Sequence, residues 1–305
     1  MRLLKQKKIL VTGCSGQIGK NLIPKLIELG LDVYGLDLQK PKYNKFYKFL
    51  LADLTDSKSL LPHSKILSEI DLVIHLASKI ENTQNVVTNL RESIEINIEG
   101  TINLIEFLTN VEHVFYASSY MVYGNTDCDL INEKHNTNPT NIYGSSKLTT
   151  EKFLQVFANK KKFLLTIFRF MGIFGPDTPT SERAIPTFIE LIFSDKSPTI
   201  IGNGKNRRNH IYLDDAINAI INSLKFSTGG IFNLGGKESP NNLELISIIN
   251  EIMNKKIEPI FKNQEIREFD FILDNSLAIK KINYNPTTGI KNGLTNHIES
   301  LWRTK

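Results

Sequence analysis

A chain of 305 residues is long enough to bury a substantial core, either as one large α/β unit or as a domain with a smaller lobe. Its composition, 41% hydrophobic and 23% charged, is ordinary for a globular protein. The formal net charge of +5 comes from scattered lysines, and no basic block with interleaved aromatic residues occurs. The composition therefore argues against nucleic-acid binding.

Two cysteines, Cys14 and Cys128, are too few for a disulfide framework or a cysteine metal site. The apolar run before the first glycines is too short for a signal peptide, and no stretch is long and apolar enough to span a bilayer. We therefore expect a cytoplasmic protein with no membrane contact and no metal.

Short apolar runs alternate with amphipathic stretches through the first half of the chain. Six runs have the composition of strands covered on both faces, at residues 7–13, 32–37, 46–53, 71–78, 113–119 and 163–170. Helical patterns lie between them, at residues 17–29, 90–108 and 144–157. This alternation predicts right-handed βαβ crossovers and a Rossmann-type α/β fold with a doubly wound parallel sheet.

The alternation ends after GIFGPD (172–177), where prolines and glycines become frequent. HIYLDDAINAII and GGIFNLGG then predict one more helix and strand that rejoin the sheet. The tail predicts a small helical lobe. We predict a dinucleotide-binding domain of residues 1–171, which 205–235 rejoins, and a substrate-binding lobe of residues 172–204 and 236–305.

Three glycines, Gly13, Gly16 and Gly19, lie between the first strand and the first helix. In that context the spacing is typical of a dinucleotide loop. Gly13 allows the turn, Gly16 lets the backbone approach a pyrophosphate, and Gly19 lets helix and strand pack closely. The helix N-terminus supplies N–H donors and partial positive charge. A plain strand–turn–helix is the alternative, and within the loop Cys14 is interpreted as a packing residue.

Two aspartates end the next two strands. Asp37 is placed to accept hydrogen bonds from the adenosine ribose and to repel a 2′-phosphate, which favours NAD over NADP. Lys40 lies nearby and could contact a phosphate, so NADP stays open. Asp53 is placed either to meet the adenine amino group or to cap the following helix.

Tyr143 and Lys147 are four residues apart in a predicted helix, so their side chains share one face. Alone, the pair fits a proton-transfer site or an ordinary surface contact.

The motifs together resemble the extended short-chain dehydrogenase/reductases of the NAD-dependent epimerase/dehydratase family, which act on nucleotide sugars. The resemblance spans nearly the whole chain. Beside the glycine loop, the LAD-L strand end and the Tyr–Lys pair, it is carried by VIHLAS (73–78), NIEGTINLIEF (97–107), YASSYMVYG (116–124), GNGKNRRNHIYLDDA (202–216) and IREFD (266–270).

The resemblance implies a catalytic set of Ser119, Tyr143 and Lys147, with Ser118 beside the serine position. Tyr143 would exchange a proton with a sugar hydroxyl while hydride moves between the sugar carbon and the nicotinamide. Lys147 would lower the tyrosine pKa and hold the nicotinamide ribose, and Ser119 would fix the sugar oxygen.

The resemblance also implies two binding sets. Further cofactor contacts would come from Gln17, Ile18, Leu54, Leu76, Ala77, Asn97 and Phe170. The substrate would be a nucleotide-diphosphate sugar, which Ser119 and Tyr143 would contact together with Gly172, Arg208 and Arg267.

Three departures from the family pattern bear on the activity. Tyr120 and Met121 replace the acidic pair of the dehydratases, which argues against 4,6-dehydration. The SSCIYP stretch of GDP-fucose synthases is absent. Gly172 stands where many UDP-sugar epimerases have asparagine, which removes one expected diphosphate contact.

These observations favour a nucleotide-sugar 4-epimerase, with a 4-ketoreductase or 4-dehydrogenase of a nucleotide (deoxy)sugar as the alternative. A non-catalytic dinucleotide sensor is the alternative from another class, and the intact Ser–Tyr–Lys set argues against it. A homodimer is expected.

Overall fold

The computed structural model describes residues 3–41, 48–80, 86–126, 129–178, 183–262 and 269–303. Its strands are β1 (Lys8–Thr12), β2 (Asp32–Asp37), β3 (Lys48–Leu51), β4 (Leu72–His75), β5 (His113–Ser119), β6 (Leu130–Ile131), β7 (Leu164–Phe170), β8 (Ile173–Phe174), β9 (Thr199–Ile201), β10 (Ile211–Tyr212), β11 (Gly230–Leu234), β12 (Ile260–Lys262) and β13 (Ile272–Leu273).

The helices are α1 (Gln17–Glu28), α2 (Ser57–Leu60), α3 (Ser64–Ser68), α4 (Val86–Ser93), α5 (Gly100–Phe107), α6 (Ile142–Lys161), α7 (Ala184–Phe193), α8 (Leu213–Ser223), α9 (Asn242–Met253), α10 (Ser276–Ile282) and α11 (Ile290–Arg303). A π-helix, Ile94–Glu99, joins α4 to α5. Short 3₁₀ turns occupy Leu3–Gln6, Leu61–His63 and Tyr120–Val122. Of the helices described, none is long and apolar enough to cross a membrane.

Seven strands form one parallel sheet in the order β11-β7-β5-β4-β1-β2-β3. The predicted Rossmann-type fold is confirmed, and all six predicted strands are present with slightly different ends. The order reverses at β1, which lies between β4 and β2. In such sheets ligands bind in the crevice beyond the carboxyl ends of the strands at this reversal.

The sheet is covered on both faces. Along β1, Ile9 and Val11 pack into one buried cluster with α1 and α8, whereas Leu10 packs into another with α5. Side chains of a strand alternate between faces, so an unbroken apolar run buries both sides. The carboxyl ends of the strands are therefore held rigidly at one edge.

A third apolar cluster lies outside the sheet and joins α7, α9 and α11. A short parallel strand pair, β9 with β12, adds to this part of the chain, and a second pair joins β8 with β10. Helix α10, however, contributes Ala278 and Ile282 to the cluster around the main sheet. The division into residues 1–171 with 205–235, and 172–204 with 236–305, stays a prediction.

Candidate active site

The glycine loop lies against the end of β4. Gly13 has a φ of +65°, and a Cβ there would lie 2.7 Å from the backbone nitrogen of Ala77. At Gly19 a Cβ would lie 2.6 Å from the Cα of Cys14, which is itself fully buried. Both positions therefore require glycine, one for the turn and one for close packing of the helix.

Gly16 is the N-cap residue of α1, and the helix has no side-chain cap. Its φ of −74° is open to any residue, so its lack of a side chain serves access to the helix end. The first N–H groups of α1 point to this opening, together with the positive end of the helix dipole. An anion such as a pyrophosphate fits here.

Asp37 ends β2 beside the loop. Its carboxylate accepts hydrogen bonds from the backbone nitrogens of Ser15, at 2.9 Å, and Gln39, at 3.2 Å. These bonds hold the carboxylate next to the loop, where further lone pairs can accept ribose hydroxyls.

Asp53 accepts hydrogen bonds from the backbone nitrogen and the hydroxyl of Thr55, at 2.8 and 2.7 Å. The cap of α2 is Asp56, which accepts from the backbone nitrogen of Lys58. The helix-cap alternative for Asp53 is therefore wrong, because the cap residue lies three residues later, at Asp56. Its adenine contact stays a prediction.

Asn97 lies buried in the π-helix, with its amide fully hydrogen-bonded. The oxygen accepts from the backbone nitrogen of Lys79 (2.7 Å) and the hydroxyl of Ser78 (3.0 Å). The nitrogen donates to the carbonyl of Lys79 (3.1 Å) and the hydroxyl of Ser146 (2.9 Å). We propose that Asn97 holds the segment after β4 against α6, which shapes the cofactor site indirectly.

The start of α6 brings Tyr143 close to the end of β5. Asn141 caps the helix by accepting from the backbone nitrogen of Gly144 at 2.7 Å. A Cβ at Gly144 would lie 2.5 Å from the carbonyl oxygen of Met121, just after Ser119. The glycine thus lets the helix approach the serine.

Lys147 is buried and donates to the carbonyl of Ala117 at 2.7 Å. Its Nζ lies 4.7 Å from the ring centroid of Tyr116 and 5.7 Å from that of Tyr143. Burial lowers the pKa of Lys147 to about 7, and the carboxylate of Glu151 opposes this shift.

Burial raises the pKa of Tyr143, and the positive charge of Arg183 opposes the shift. In the protein alone the phenol therefore stays protonated at neutral pH. The lowering of the tyrosine pKa that we expected from Lys147 must overcome this burial.

The two serines of β5 face opposite ways. Ser119 accepts from the backbone nitrogen of Met121 at 3.2 Å, at the end of the strand that α6 approaches. Ser118 donates to the buried carboxylate of Glu151. Of the two, Ser119 is therefore the one whose hydroxyl is not bound to Glu151, and its contact with a sugar stays a prediction.

The remaining predicted cofactor residues lie where the strands end. Leu76 and Ala77 follow β4, Phe170 ends β7, Leu54 lies beyond β3, and Ile18 is in the first turn of α1.

The predicted substrate residues come from separate segments. At Gly172 a Cβ would lie 2.9 Å from Nδ1 of His210, so the imidazole fills the room for a side chain. Burial, followed by the charge of Arg208, lowers the pKa of His210 to about 4. Arg208 is half-buried beside it, and its backbone nitrogen donates to Pro240. Arg267 lies outside the described residues.

One half-buried residue of the site was missed by sequence reasoning. Arg183 donates from Nη1 to the carbonyl of Ile173 (3.3 Å) and the side chain of Gln17 (3.4 Å). Its pKa is affected by both Tyr143 and Tyr120, so it lies near the predicted catalytic tyrosine. A lone arginine in a proline-rich stretch gave no signal, because its position depends on contacts across the crevice.

Gln17 also has a partner that the sequence did not indicate. Its side chain donates to the carbonyl of Pro176 at 3.3 Å and to the hydroxyl of Thr178. Lys20 on the same helix pairs with Asp177 at 3.0 Å. The glycine loop is thereby tied to the turn that follows β8.

These residues fit a dinucleotide. The side-chain-free loop, the uncapped helix end and the carboxylate at the end of β2 lie along one edge, as adenosine, ribose and pyrophosphate require. The buried Lys147 and the half-buried Tyr143 lie further along that edge, after β5, where a reactive group would meet a second ligand.

Comparison with known proteins agrees with this geometry. Residues 9–235 match the family described as the NAD dependent epimerase/dehydratase family. A protein of Methanocaldococcus jannaschii named "Putative UDP-glucose 4-epimerase" is 31% identical over 297 residues, which cover 94% of this chain and 95% of that protein. The dTDP-4-dehydro-6-deoxyglucose reductase of Escherichia coli is 31% identical, over 96% of this chain and 97% of its own.

A solved structure has the same fold over the whole chain. The UDP-glucuronic acid 4-epimerase of Bacillus cereus, in complex with UDP-glucuronic acid and NAD, is 26% identical with a TM-score of 0.88. The match covers 98% of this chain and all of that one, 100%.

Proposed function

Because this chain belongs to the NAD dependent epimerase/dehydratase family, we propose that it is a 4-epimerase of a nucleotide-diphosphate sugar. The family assignment confirms the resemblance, the expectation of a nicotinamide-dependent enzyme, and NAD as its cofactor. The choice of NAD over NADP in this chain rests on Asp37 and is part of the proposal.

The observation that carries the proposal is the approach of α6 to the end of β5. It brings together Tyr143, Lys147 and Ser119, which is the set needed to move a proton at a sugar hydroxyl during oxidation of its carbon. The similarity to proteins named as 4-epimerases supports position 4 of the sugar.

The glycine loop, Asp37 and Lys147 would hold NAD, which when bound would supply hydride chemistry at the sugar carbon: hydride would leave one face of that carbon and return to the other. Tyr143 would act as a phenolate, with its own proton lost to solvent and its negative charge supported by Lys147; the phenolic oxygen would take the proton of the sugar hydroxyl and later give it back. Ser119 hydrogen-bonds the same sugar oxygen and fixes its position. Lys147, whose Nζ lies 5.7 Å from the ring centroid of Tyr143, would place positive charge beside the tyrosine and hold the nicotinamide ribose.

A 4-ketoreductase or 4-dehydrogenase of a nucleotide (deoxy)sugar is the second candidate. Two observations favour it. Gly172 stands where many UDP-sugar epimerases have asparagine, and the reductase of E. coli is as similar to this chain as the protein of M. jannaschii is. A non-catalytic sensor is the third, and the assembled Ser119–Tyr143–Lys147 set argues against it.

The fate of the cofactor separates the first two candidates. An epimerase must keep the reduced cofactor until hydride returns, whereas a reductase must exchange it in each cycle. We would denature the purified protein, measure the NAD released, and assay the dialysed enzyme on a panel of nucleotide sugars with and without NADH. We expect about one NAD per chain and turnover without added cofactor. An empty protein that consumes NADH on a 4-keto-sugar nucleotide would instead establish the reductase.

A homodimer is part of the proposal and rests on an apolar surface patch. Val87, Leu90 and Ile94 follow helical spacing on α4 and the π-helix, and Phe153 and Val156 lie on the adjacent α6; all five are exposed. A patch that pairs with its own copy forms a two-fold interface. Phe153→Asp combined with Val156→Asp should give a monomer in analytical ultracentrifugation; an unchanged mass would exclude this interface.

A cytoplasmic location is likewise proposed, because the sequence has only two cysteines, too few for a disulfide framework.

A further inference from the structure

A buried ion pair lies behind the Tyr–Lys pair, and the mechanism above does not use it. Arg169 on β7 donates from Nε to Oε1 of Glu151 at 3.1 Å and from Nη2 to Oε2 at 2.7 Å. The two side chains are 3% and 0% exposed. Ser118 on β5 donates to the same carboxylate. The pair therefore joins α6 to two central strands.

Stability alone does not account for this pair. Two charges lose their hydration when they are buried, and a well-packed apolar pair of similar volume is often as stable or more stable. The compensation here is also incomplete, because Nη1 of Arg169 is buried without a hydrogen-bond partner in the described structure. The ring of Tyr123, whose centroid lies 4.8 Å from the guanidinium carbon, supplies only a weaker contact.

The position of Glu151 suggests what the charge does. Glu151 follows Lys147 by four residues on α6, so both side chains project from one face of the helix. Burial lowers the pKa of Lys147 to about 7, and Glu151 is the charge that raises it again. At neutral pH the lysine is therefore near its midpoint, where a single nearby charge decides its protonation state.

The other groups that face Lys147 carry no negative charge at neutral pH. Tyr143 on α6 and Tyr116 on β5 have raised pKa values because they are buried, so both are neutral phenols. His75 on β4 is also neutral, because burial lowers its pKa to about 3. Glu151 is thus the carboxylate that supports the ammonium.

We propose that Glu151 is a positioning residue whose carboxylate supports the ammonium of Lys147 beside Tyr143, and that the two hydrogen bonds from Arg169 hold this carboxylate in place inside the sheet–helix interface. The inference rests on the proposed function for the role of Lys147 in turnover. The arrangement itself is independent of which sugar reacts. The buried Glu151–Arg169 pair, which stability does not require, would thus support the charge of Lys147 beside the reacting groups.

The decisive measurement is the titration of Lys147 in the whole protein. The ¹³Cε signal of Lys147 would be assigned by its loss in Lys147→Met and followed against pH. In Glu151→Gln, which keeps shape and hydrogen bonding, we expect the midpoint to fall by about one pH unit or more, a tenfold change in the protonation equilibrium.

Two further variants keep the test decisive. Glu151→Gln leaves Arg169 without a counter-ion and can unfold, so Glu151→Gln combined with Arg169→Gln removes both charges; we expect a smaller fall in midpoint, because loss of the arginine cation partly offsets loss of the carboxylate. Ser118→Ala keeps both charges, and its midpoint should be unchanged. A midpoint within about 0.3 pH unit of the native value in Glu151→Gln, or one that does not fall at all in the double variant, would overturn the proposal.

Turnover then links the inference to catalysis. If the proposed function is correct, the alkaline limb of the pH–rate profile should move to lower pH in step with the lysine midpoint. A shifted midpoint in a protein that turns over no nucleotide sugar would leave the inference intact and count against the proposed function. A normal profile despite a shifted midpoint would show that Glu151 sets the charge of Lys147 without serving catalysis, and would overturn the positioning role.

Discussion

Two predicted edges of the crevice differ in how their polar groups are paired: the cofactor edge, with Asp37, Asp53 and Asn97, and the substrate edge, with Arg183 and Arg208. Along the cofactor edge, Asp37, Asp53 and Asn97 already have protein partners that fix their orientation. On the substrate edge, Arg208 has no side-chain partner among the described residues, and Arg183 contacts only neutral groups. Half-buried cations without counter-ions favour an anionic ligand. The first edge is thus organised in advance, and the second is completed by what binds.

The largest effect is expected where the two edges meet, at Tyr143. Replacement by phenylalanine keeps the ring and removes the oxygen that exchanges the proton. We expect turnover to fall by about 10²–10⁴, the usual range for a lost general acid or base. Steady-state kinetics on the true substrate measures the turnover of the variant, and its affinity for NAD should be unchanged.

Tyr34→Phe is a matched control, because that phenol lies within β2 and accepts a hydrogen bond from Lys48 on the neighbouring strand β3. It should leave turnover unchanged. Near-normal turnover in Tyr143→Phe would exclude Tyr143 as the proton-transfer group.

A smaller effect is expected on the substrate edge. Arg208→Ala removes a cation from the predicted diphosphate site, and a hydrogen bond to a charged group is worth about 1.5–3 kcal/mol. We therefore expect the Michaelis constant to rise by roughly 10- to 100-fold while cofactor affinity stays unchanged.

The neighbouring Arg207 is the control, since its exposed guanidinium pairs with Asp270 at 2.6 Å. Arg207→Ala should change the Michaelis constant little. If both variants behave alike, Arg208 contributes only general surface charge and the contrast between the two edges is lost.

The same contrast explains what the sequence could predict. The six strands follow from local apolar runs, and the glycine loop follows from three closely spaced glycines between a strand and a helix, although the contact of Gly13 with Ala77 is not local. Asn97 was singled out by the family resemblance. Its hydrogen bonds to Ser78 and Ser146 depend on a π-helix that no local pattern indicates.

The substrate edge could not be predicted in this way, because it is assembled from distant segments. His210 lies against Gly172 through the pairing of β8 with β10, across nearly forty residues of sequence. The missing side chain at position 172 is visible in the sequence, but the ring that fills its place is not. The Glu151–Arg169 pair was missed for the same reason, since its members lie on a helix and a strand.

The smallest effect is expected at Asp37, because its carboxylate already bonds to the loop and discriminates mainly by charge. A carboxylate beside the adenosine ribose repels a 2′-phosphate, so NAD should bind more tightly than NADP. Asp37→Ala removes both the repulsion and the hydrogen bond from Ser15, so the affinity for NAD should fall. The ratio of the affinities for NAD and NADP should decrease by roughly tenfold, about 1.4 kcal/mol. Titration calorimetry with both cofactors measures this. Asp32→Ala, at the other end of β2 where the carboxylate meets Lys48, should leave the ratio unchanged. Equal affinities of the native protein for the two cofactors would show that the cofactor edge, although organised in advance, does not select by charge at this position.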